Sequence, residues 1–304
     1  MDILSELQEE GVSPALLGQV EKFRSEHPAS EPQRVPEPRF RYYGREVWEQ
    51  AIAALLCGKN LLLAGGKATG KNVLAENLAL AFGRPVWNVS FHVSMDAGAL
   101  LGMDTFSGGE VKFRPGPVIE CAKKGGFGVL DEINMAKNEA LAVLHAALDY
   151  RRVLDVPGYE RVELAAPTRF IATMNYGYAG TRELNEALAS RFVVLQMPTI
   201  SPENLDRLLA RHSPKLRKKY RSQLGTLFFE LQKKCASSEI STKALDLRGL
   251  IDAVDLMAAG VACGPALDMG ITDKSFDGYE QSLIRDVMAA RIARDLSRET
   301  LFEG

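Results

Sequence analysis

Cysteine is scarce in this 304-residue chain. Its four copies, Cys57, Cys121, Cys235 and Cys263, lie far apart and form no C-x-x-C pair. That argues against a zinc site and against a dense disulfide framework, and leaves free thiols in a reducing compartment. Net charge is equally small, −2 with a pI near 6.2. No broad positive field favours nucleic acid, so any basic patch would have to be local. No stretch approaches the roughly 18 apolar residues that a bilayer span requires, and the acidic opening MDILSELQEEG lacks a long apolar core. These absences lead to the expectation of a cytoplasmic protein without a membrane segment. Internal repeats and low-complexity tracts are missing as well, apart from one proline-bearing stretch, HPASEPQRVPEPRF at 27–40.

What is present is ordinary globular material, 46% hydrophobic and 25% charged, enough for one large core and a smaller second domain. Leu4 and Leu7 mark one short helix; Ser13-Pro14 ahead of Leu16, Leu17, Val20 and Phe23 starts another. Pro28, Pro32, Pro36 and Pro38 then predict an extended, semi-rigid linker. Residues 1–40 are accordingly expected to be a helical appendage and linker. From Arg45 a helical pattern (Val47, Ile52, Leu55, Leu56) leads into the apolar run NLLLAGG, a glycine loop, and a helix from Lys71 through Leu80. Further apolar runs at 85–91, 126–132, 169–175 and 191–197 alternate with helical stretches. This alternation predicts an α/β fold over 41–198, a parallel sheet covered by helices on both faces. After Pro198 four helical patterns follow, SPENLDRLLARH, KLRKKYRSQLGTLFFELQKKC, LRGLIDAVDLMAAG and YEQSLIRDVMAARIARDLSR. Residues 199–304 are therefore expected to form a smaller all-helical domain.

Gly65-Gly66-Lys67-Ala68-Thr69-Gly70-Lys71-Asn72 matches G-x-x-x-x-G-K-[ST] at every position but the last. Such glycines let successive backbone N–H groups point at a phosphate, Lys71 can neutralise its oxygens, and the following helix adds partial positive charge. The bland alternative is a glycine-rich turn with a solvated lysine. Downstream, GGFGVLDEINMA ends an apolar strand in Asp131-Glu132. In a phosphate-loop enzyme the first acid holds magnesium through water and the second polarises the attacking water; the competing reading is an acidic helix start. RFIATMN ends in Asn175, whose amide can position a water or serve only as a turn residue. Arg191, in TRELNEALASRF, and Arg248, in LDLRGLIDAVDL, offer guanidinium donors for phosphoryl charge, or merely solvated side chains.

Taken in order, GGKATGKN, GVLDE, ATMN, LASRF and LDLRG resemble an AAA+ ATPase. More narrowly they resemble the MoxR-type and dynein-related branch, with the NorQ and CbbQ kind of metalloenzyme activator and the gas-vesicle ATPase. Two more stretches carry the likeness. DAGALLGMDTFSGGEVKFRPGP resembles that branch's hairpin insert in a helix, and RVLDV and RVELA around Pro157-Gly158 predict a second hairpin. Both border the central pore in relatives, although an ordinary exposed hairpin gives the same pattern. The resemblance covers about residues 41–270. It implies an AAA+ phosphate-loop core with a helical lid, in which Gly65 to Asn72 bind the phosphates of ATP and Asp131, with Asn72, holds Mg2+. Glu132 would be the catalytic carboxylate, Asn175 the first sensor, Arg191 a finger reaching a neighbouring subunit's ATP, and Arg248 the second sensor. A finger that acts in trans completes the site only at a subunit interface, and a hexameric ring is what the resemblance implies. The chain departs from the family pattern twice: Asn72 replaces a hydroxyl ligand of magnesium, and Tyr176-Gly177-Tyr178 follows Asn175 where relatives often have proline.

The leading functional expectation is an ATP-hydrolysing remodeller of a client protein, acting as MoxR-type relatives do with a partner bearing a von Willebrand A domain. Its rival is a nucleotide-gated assembly module in which Asn72 weakens hydrolysis. A third reading, a DNA-acting motor, would need the basic stretch KLRKKYR at 215–221 to be more than a solvated face or subunit contact, and nucleic acid is disfavoured as a partner.

Overall fold

A computed structural model of the chain describes residues 2–156, 158–176 and 183–303. They form two compact units. One runs through Gly66 and resumes from Gly70 to Pro198; the other comprises Lys67–Thr69 and the chain from Thr199 onward.

In chain order the first unit contains α1 (Ile3–Glu9), α2 (Pro14–Glu26), α3 (Arg45–Leu56), β1 (Leu61–Gly65), α4 (Lys71–Ala81), β2 (Val86–Ser90), α5 (Ala97–Leu101), β3 (Gly102–Ser107), β4 (Glu110–Pro115), α6 (Pro117–Lys124) and β5 (Phe127–Asp131). It continues with α7 (Asn138–Leu141), α8 (His145–Leu148), β6 (Val153–Asp155), β7 (Arg161–Glu163), β8 (Arg169–Asn175), α9 (Glu186–Ala189) and β9 (Val193–Gln196). Five strands make a parallel sheet in the order β2-β5-β8-β1-β9. The central strands read as continuous apolar runs because both their faces are covered. Leu61, Leu63, Phe127, Val129 and Ile171 join the core formed with α1 to α4. Their neighbours Leu62, Leu130, Phe170 and Ala172 enter a second core on the other face, with α5, α6 and the helices after β5. The period of two along each strand thus fills two layers at once.

Residues 1–40, expected as an appendage with a linker, group with this unit rather than standing apart. Ile3, Leu4, Leu7, Leu17, Val20 and Phe23 share the core of α3 and α4. Arg24 donates to the Leu80 and Ala81 carbonyls at the end of α4, at 2.9 and 2.7 Å. The proline stretch is strapped down too: the Arg34 guanidinium lies 4.8 Å from the centre of the Trp87 ring, and Ser30 donates to the Lys124 carbonyl at 2.7 Å. Proline spacing reports local stiffness, and here side-chain contacts decide where the stiff segment lies.

The expected hairpins form. β3 and β4 pair antiparallel, with Phe106 opposite Val111 and a two-residue turn of Gly108 and Gly109, both at positive φ. β6 and β7 pair around Leu154 and Val162; Pro157, in their expected turn, lies outside the described residues. Tyr159 joins the two hairpins, its ring 4.5 Å from that of Phe113 and its hydroxyl donating to Asp104. Phe106 and Val111 remain exposed.

The second unit holds α10 (Pro202–His212), α11 (Lys218–Ala236), α12 (Leu247–Ala258), α13 (Cys263–Gly270), α14 (Gly278–Ala289) and α15 (Arg298–Leu301) around their own core. The stretch read as one helix from Tyr279 to Arg298 ends early, at Ala289. The reason is tertiary: the carbonyls of Arg294 and Leu296 accept from the Gly264 and Cys263 amides at 2.8 and 3.0 Å, satisfying the start of α13. Likewise α11 begins at Lys218, because Leu216 bridges Phe302 and the Arg217 amide donates to the Leu301 carbonyl. Among the described residues no helix is long and apolar enough to cross a membrane, and no cluster of His, Cys, Asp and Glu could hold a metal ion by itself. All four cysteines are free thiols.

Candidate functional site

In a parallel sheet the carboxyl ends of the strands lie along one edge, where open α/β folds place their ligands. Register brings the residues of interest to that edge: Gly65 pairs with Asn175, Leu130 with Ala172, and Ser90 with Asp131.

The loop leaving β1 reaches α4 through two residues in the left-handed region, Ala68 at φ 60° and Gly70 at φ 78°. Glycine is favoured at the second on two counts. Its φ disfavours a side chain, and a Cβ there would sit 3.2 Å from the Tyr42 ring. Tyr42, which motif spacing did not single out, therefore walls the loop, and burial pushes its phenol up to about 12. Its carbonyl accepts from the Trp48 indole at 3.0 Å, and Asn77 of α4 donates to the neighbouring Phe40 carbonyl at 2.8 Å. The first turn of α4 carries Lys71, whose ammonium donates to the Gly65 and Gly66 carbonyls at 3.0 and 2.7 Å. Burial lowers this lysine to about 8, against the opposing pull of the Asp131 and Glu132 charges. A cation poised beside backbone N–H groups at a helix start can take an anion in exchange for its carbonyl partners. Asn72 follows, half-buried, on the same turn.

Facing the loop is a hydrogen-bonded set of acids and amides. Thr173, fully buried in β8, donates to Asp131 Oδ1 at 2.5 Å and accepts from the Glu132 amide at 3.0 Å. Glu132 is held at φ 54°, a left-handed backbone uncommon outside glycine. Its Oε1 accepts from the Asn175 side-chain amide at 3.1 Å, and the Asn175 carbonyl accepts from Asn134 at 3.0 Å. Thr173 and Asn134 belong to this set although the motifs that contain them gave them no role. The sequence signal for Thr173 was faint: a hydroxyl two residues before Asn175, on the same face of a buried apolar strand. Chemically the arrangement offers a cation, two carboxylates and an oriented amide on one edge, which suits binding a polyphosphate and activating a water.

Other expected site residues group differently. Arg191 sits in a separate cluster, donating to the His145 carbonyl at 3.1 Å and to the Ala187 carbonyl, with Asp149 at 3.6 Å. Arg248 belongs to the helical unit, exposed in the first turn of α12, its amide capped by Asp246 at 3.0 Å. Lys67, Ala68 and Thr69 also group with that unit. Tyr176 donates to Gln196 at 2.9 Å, while Gly177 and Tyr178 lie outside the described residues.

Comparison with known proteins agrees with this geometry. Residues 60–192 match the family model of the AAA domain, dynein-related subfamily. Among curated proteins, the uncharacterized protein YojN of Bacillus subtilis (strain 168) is 38% identical over 259 residues, covering 83% of this chain and 81% of the relative. The uncharacterized protein SERP0979 of Staphylococcus epidermidis (strain ATCC 35984) is 38% identical over 245 residues, covering 78% and 92%. The uncharacterized protein SH1500 of Staphylococcus haemolyticus is 36% identical over 248 residues, covering 80% and 94%. With four of the five parallel strands, the glycine loop after β1 and the paired acids at the end of β5 inside the matched region, the chain belongs to the AAA+ ATPases of the dynein-related branch.

Proposed function

We propose that the chain binds ATP with Mg2+ at the carboxyl edge of its sheet, hydrolyses it, and uses the cycle to remodel or activate a partner protein while assembled as a homo-oligomeric ring. The observation that carries this reading is the hydrogen-bonded set of Asp131, Thr173, Glu132 and Asn175 facing the buried ammonium of Lys71. In this reading Gly65 to Lys71 cradle the phosphates and Lys71 counters their charge. Asp131 and Asn72 would hold the metal, each offering a hard oxygen donor. Bound Mg2+ would supply charge neutralisation at the phosphate oxygens. Glu132 takes the proton of the attacking water while Asn175 orients the carboxylate. Arg191 lies outside this set, in keeping with a role at a neighbouring subunit's site, and a hexamer is the assembly we propose; Arg248 acts from the lid. Resemblance to MoxR-type proteins suggests a client presented by a von Willebrand A-domain partner, with the exposed hairpin residues Phe106 and Val111 as contacts.

Asn72 favours one second reading, because an amide in place of a hydroxyl changes the metal's ligand. ATP would then mainly gate assembly. Steady-state hydrolysis by the wild type and by Glu132→Gln separates the two. Turnover catalysis predicts a loss of about 10²- to 10⁴-fold in the variant with nucleotide binding retained, and equal rates would sink it. Co-purification with the stalled Glu132→Gln ring is the test for a client.

A further inference from the structure

We propose that Thr173 is a positioning residue for the hydrolytic site, its single hydroxyl setting both carboxylates at once. The inference rests on the ATPase reading above. β8 is buried in both faces of the sheet, and at such a position valine fills the same volume without needing a hydrogen-bond partner. Thr173 instead keeps a hydroxyl at 1% exposure. Its bonds are ordered by chemistry. An ionised carboxylate can only accept, so the hydroxyl proton goes to Asp131 Oδ1, which leaves the oxygen's lone pair for the Glu132 amide.

Two consequences follow from that polarity. The Asp131 carboxylate loses its freedom to rotate, which would fix the oxygen it offers toward a bound metal. The Glu132 backbone is held at φ 54°, which aims its side chain at Asn175 rather than along the strand. Asp131 and Glu132 are adjacent in sequence yet serve different atoms of the reaction, and a bridge from the neighbouring strand keeps the two directions apart. Supporting partners of this kind typically change metal affinity or activity by about 10- to 100-fold when removed.

The test compares Thr173→Val, which keeps the volume, with Thr173→Ser, which keeps the hydroxyl. Thermal unfolding of each establishes that both fold. We expect Thr173→Val to lose about 10- to 100-fold in kcat and to need more Mg2+, while binding metal-free ADP within about threefold of wild type; Thr173→Ser should stay within about threefold throughout. A valine variant with wild-type kcat and Mg2+ dependence would overturn the proposal, as would a serine variant as impaired as valine. A wild type that binds ADP but turns over no ATP would fail the ATPase reading instead. Thr173 is then judged by the Mg2+-dependent tightening of ADP binding and by hydrogen exchange at the Glu132 amide. Weaker tightening and faster exchange in valine alone support the role, and no difference from wild type refutes it.

Discussion

Strand β8 has a buried cluster at each end, and the two ends deal with charge in opposite ways. Arg169 at its start and Lys71, which faces its finish, are equally secluded at 7% exposure. Around Arg169 the neighbours are like charges: Arg84 and Arg152 lie close, and burial together with these cations lowers its guanidinium to about 10. Stability there comes from main-chain oxygen. Arg169 donates to the carbonyls of Leu55, Ala166 and Thr168 at 3.0, 2.7 and 2.8 Å, Arg152 to those of Ala165 and Thr168, and Arg84 to those of Gly125 and His27. Around Lys71 the neighbours are opposite charges, and its carbonyl partners belong to the glycine loop itself. A buried cation is thus no marker of function in itself. One cluster ties helix ends and loops to the sheet, and in the proposed function the other holds charge ready for exchange with phosphate.

The sharpest way to break this contrast is to substitute both cations with methionine. Arg169→Met removes three hydrogen bonds to the carbonyls of Leu55, Ala166 and Thr168 and should cost about 3 kcal/mol, lowering the unfolding temperature by roughly 6–12 °C, with ADP affinity unchanged. Lys71→Met should do the reverse: a loss of about 100-fold in ADP affinity, about 2.7 kcal/mol, with nucleotide-free unfolding shifted by only a few degrees. Calorimetric binding and thermal unfolding of the two proteins check both halves. If either variant loses both properties equally, the division between a structural and a functional edge fails.

That same division explains what the sequence made legible. The candidate functional edge is encoded locally, in short runs whose order and spacing survive translation into structure: Gly65 to Lys71, Asp131-Glu132 and Asn175 all arrive on one edge because parallel strands align their ends. The helix-sheet alternation was readable for the same reason, each strand being a brief, largely apolar run. Thr173 and Asn134 were not readable, since a buried threonine in a strand is ordinarily packing and only the partner strand's acids give its hydroxyl a purpose. Tyr42 escaped because its role is to wall a loop some 28 residues away in sequence. Nor could periodicity show that α14 ends at Ala289, where carbonyls of the following segment are needed to cap α13. The proline stretch suggested separation where Arg34 and Ser30 supply attachment. Each miss turns on a contact between distant segments, which local spacing does not record.

The smallest effect, and the most specific to Lys71, is on pH. Its ammonium titrates near 8 when folded because burial disfavours the charge, whereas an unfolded lysine titrates near 10.4. Between these values the unfolded chain binds more protons, so this residue makes stability rise with pH from about 8 to about 10.4, as the cost of burying the charge is relieved. Nucleotide binding should respond in the opposite direction. Phosphate charge restores the ammonium, so above pH 8 binding must take up a proton, and ADP affinity should fall roughly tenfold between pH 7 and pH 9. Calorimetry at pH 9 in two buffers of different ionisation enthalpy should register an uptake approaching one proton, and near pH 7 very little. Lys71→Arg keeps a permanent charge and should flatten the profile even if it binds more weakly, whereas Arg169→Met should leave the profile intact. A wild-type affinity that is level from pH 7 to pH 9 would mean that the Lys71 charge is already fully held by Asp131 and Glu132, and that the functional edge resembles the structural one more closely than its geometry implies.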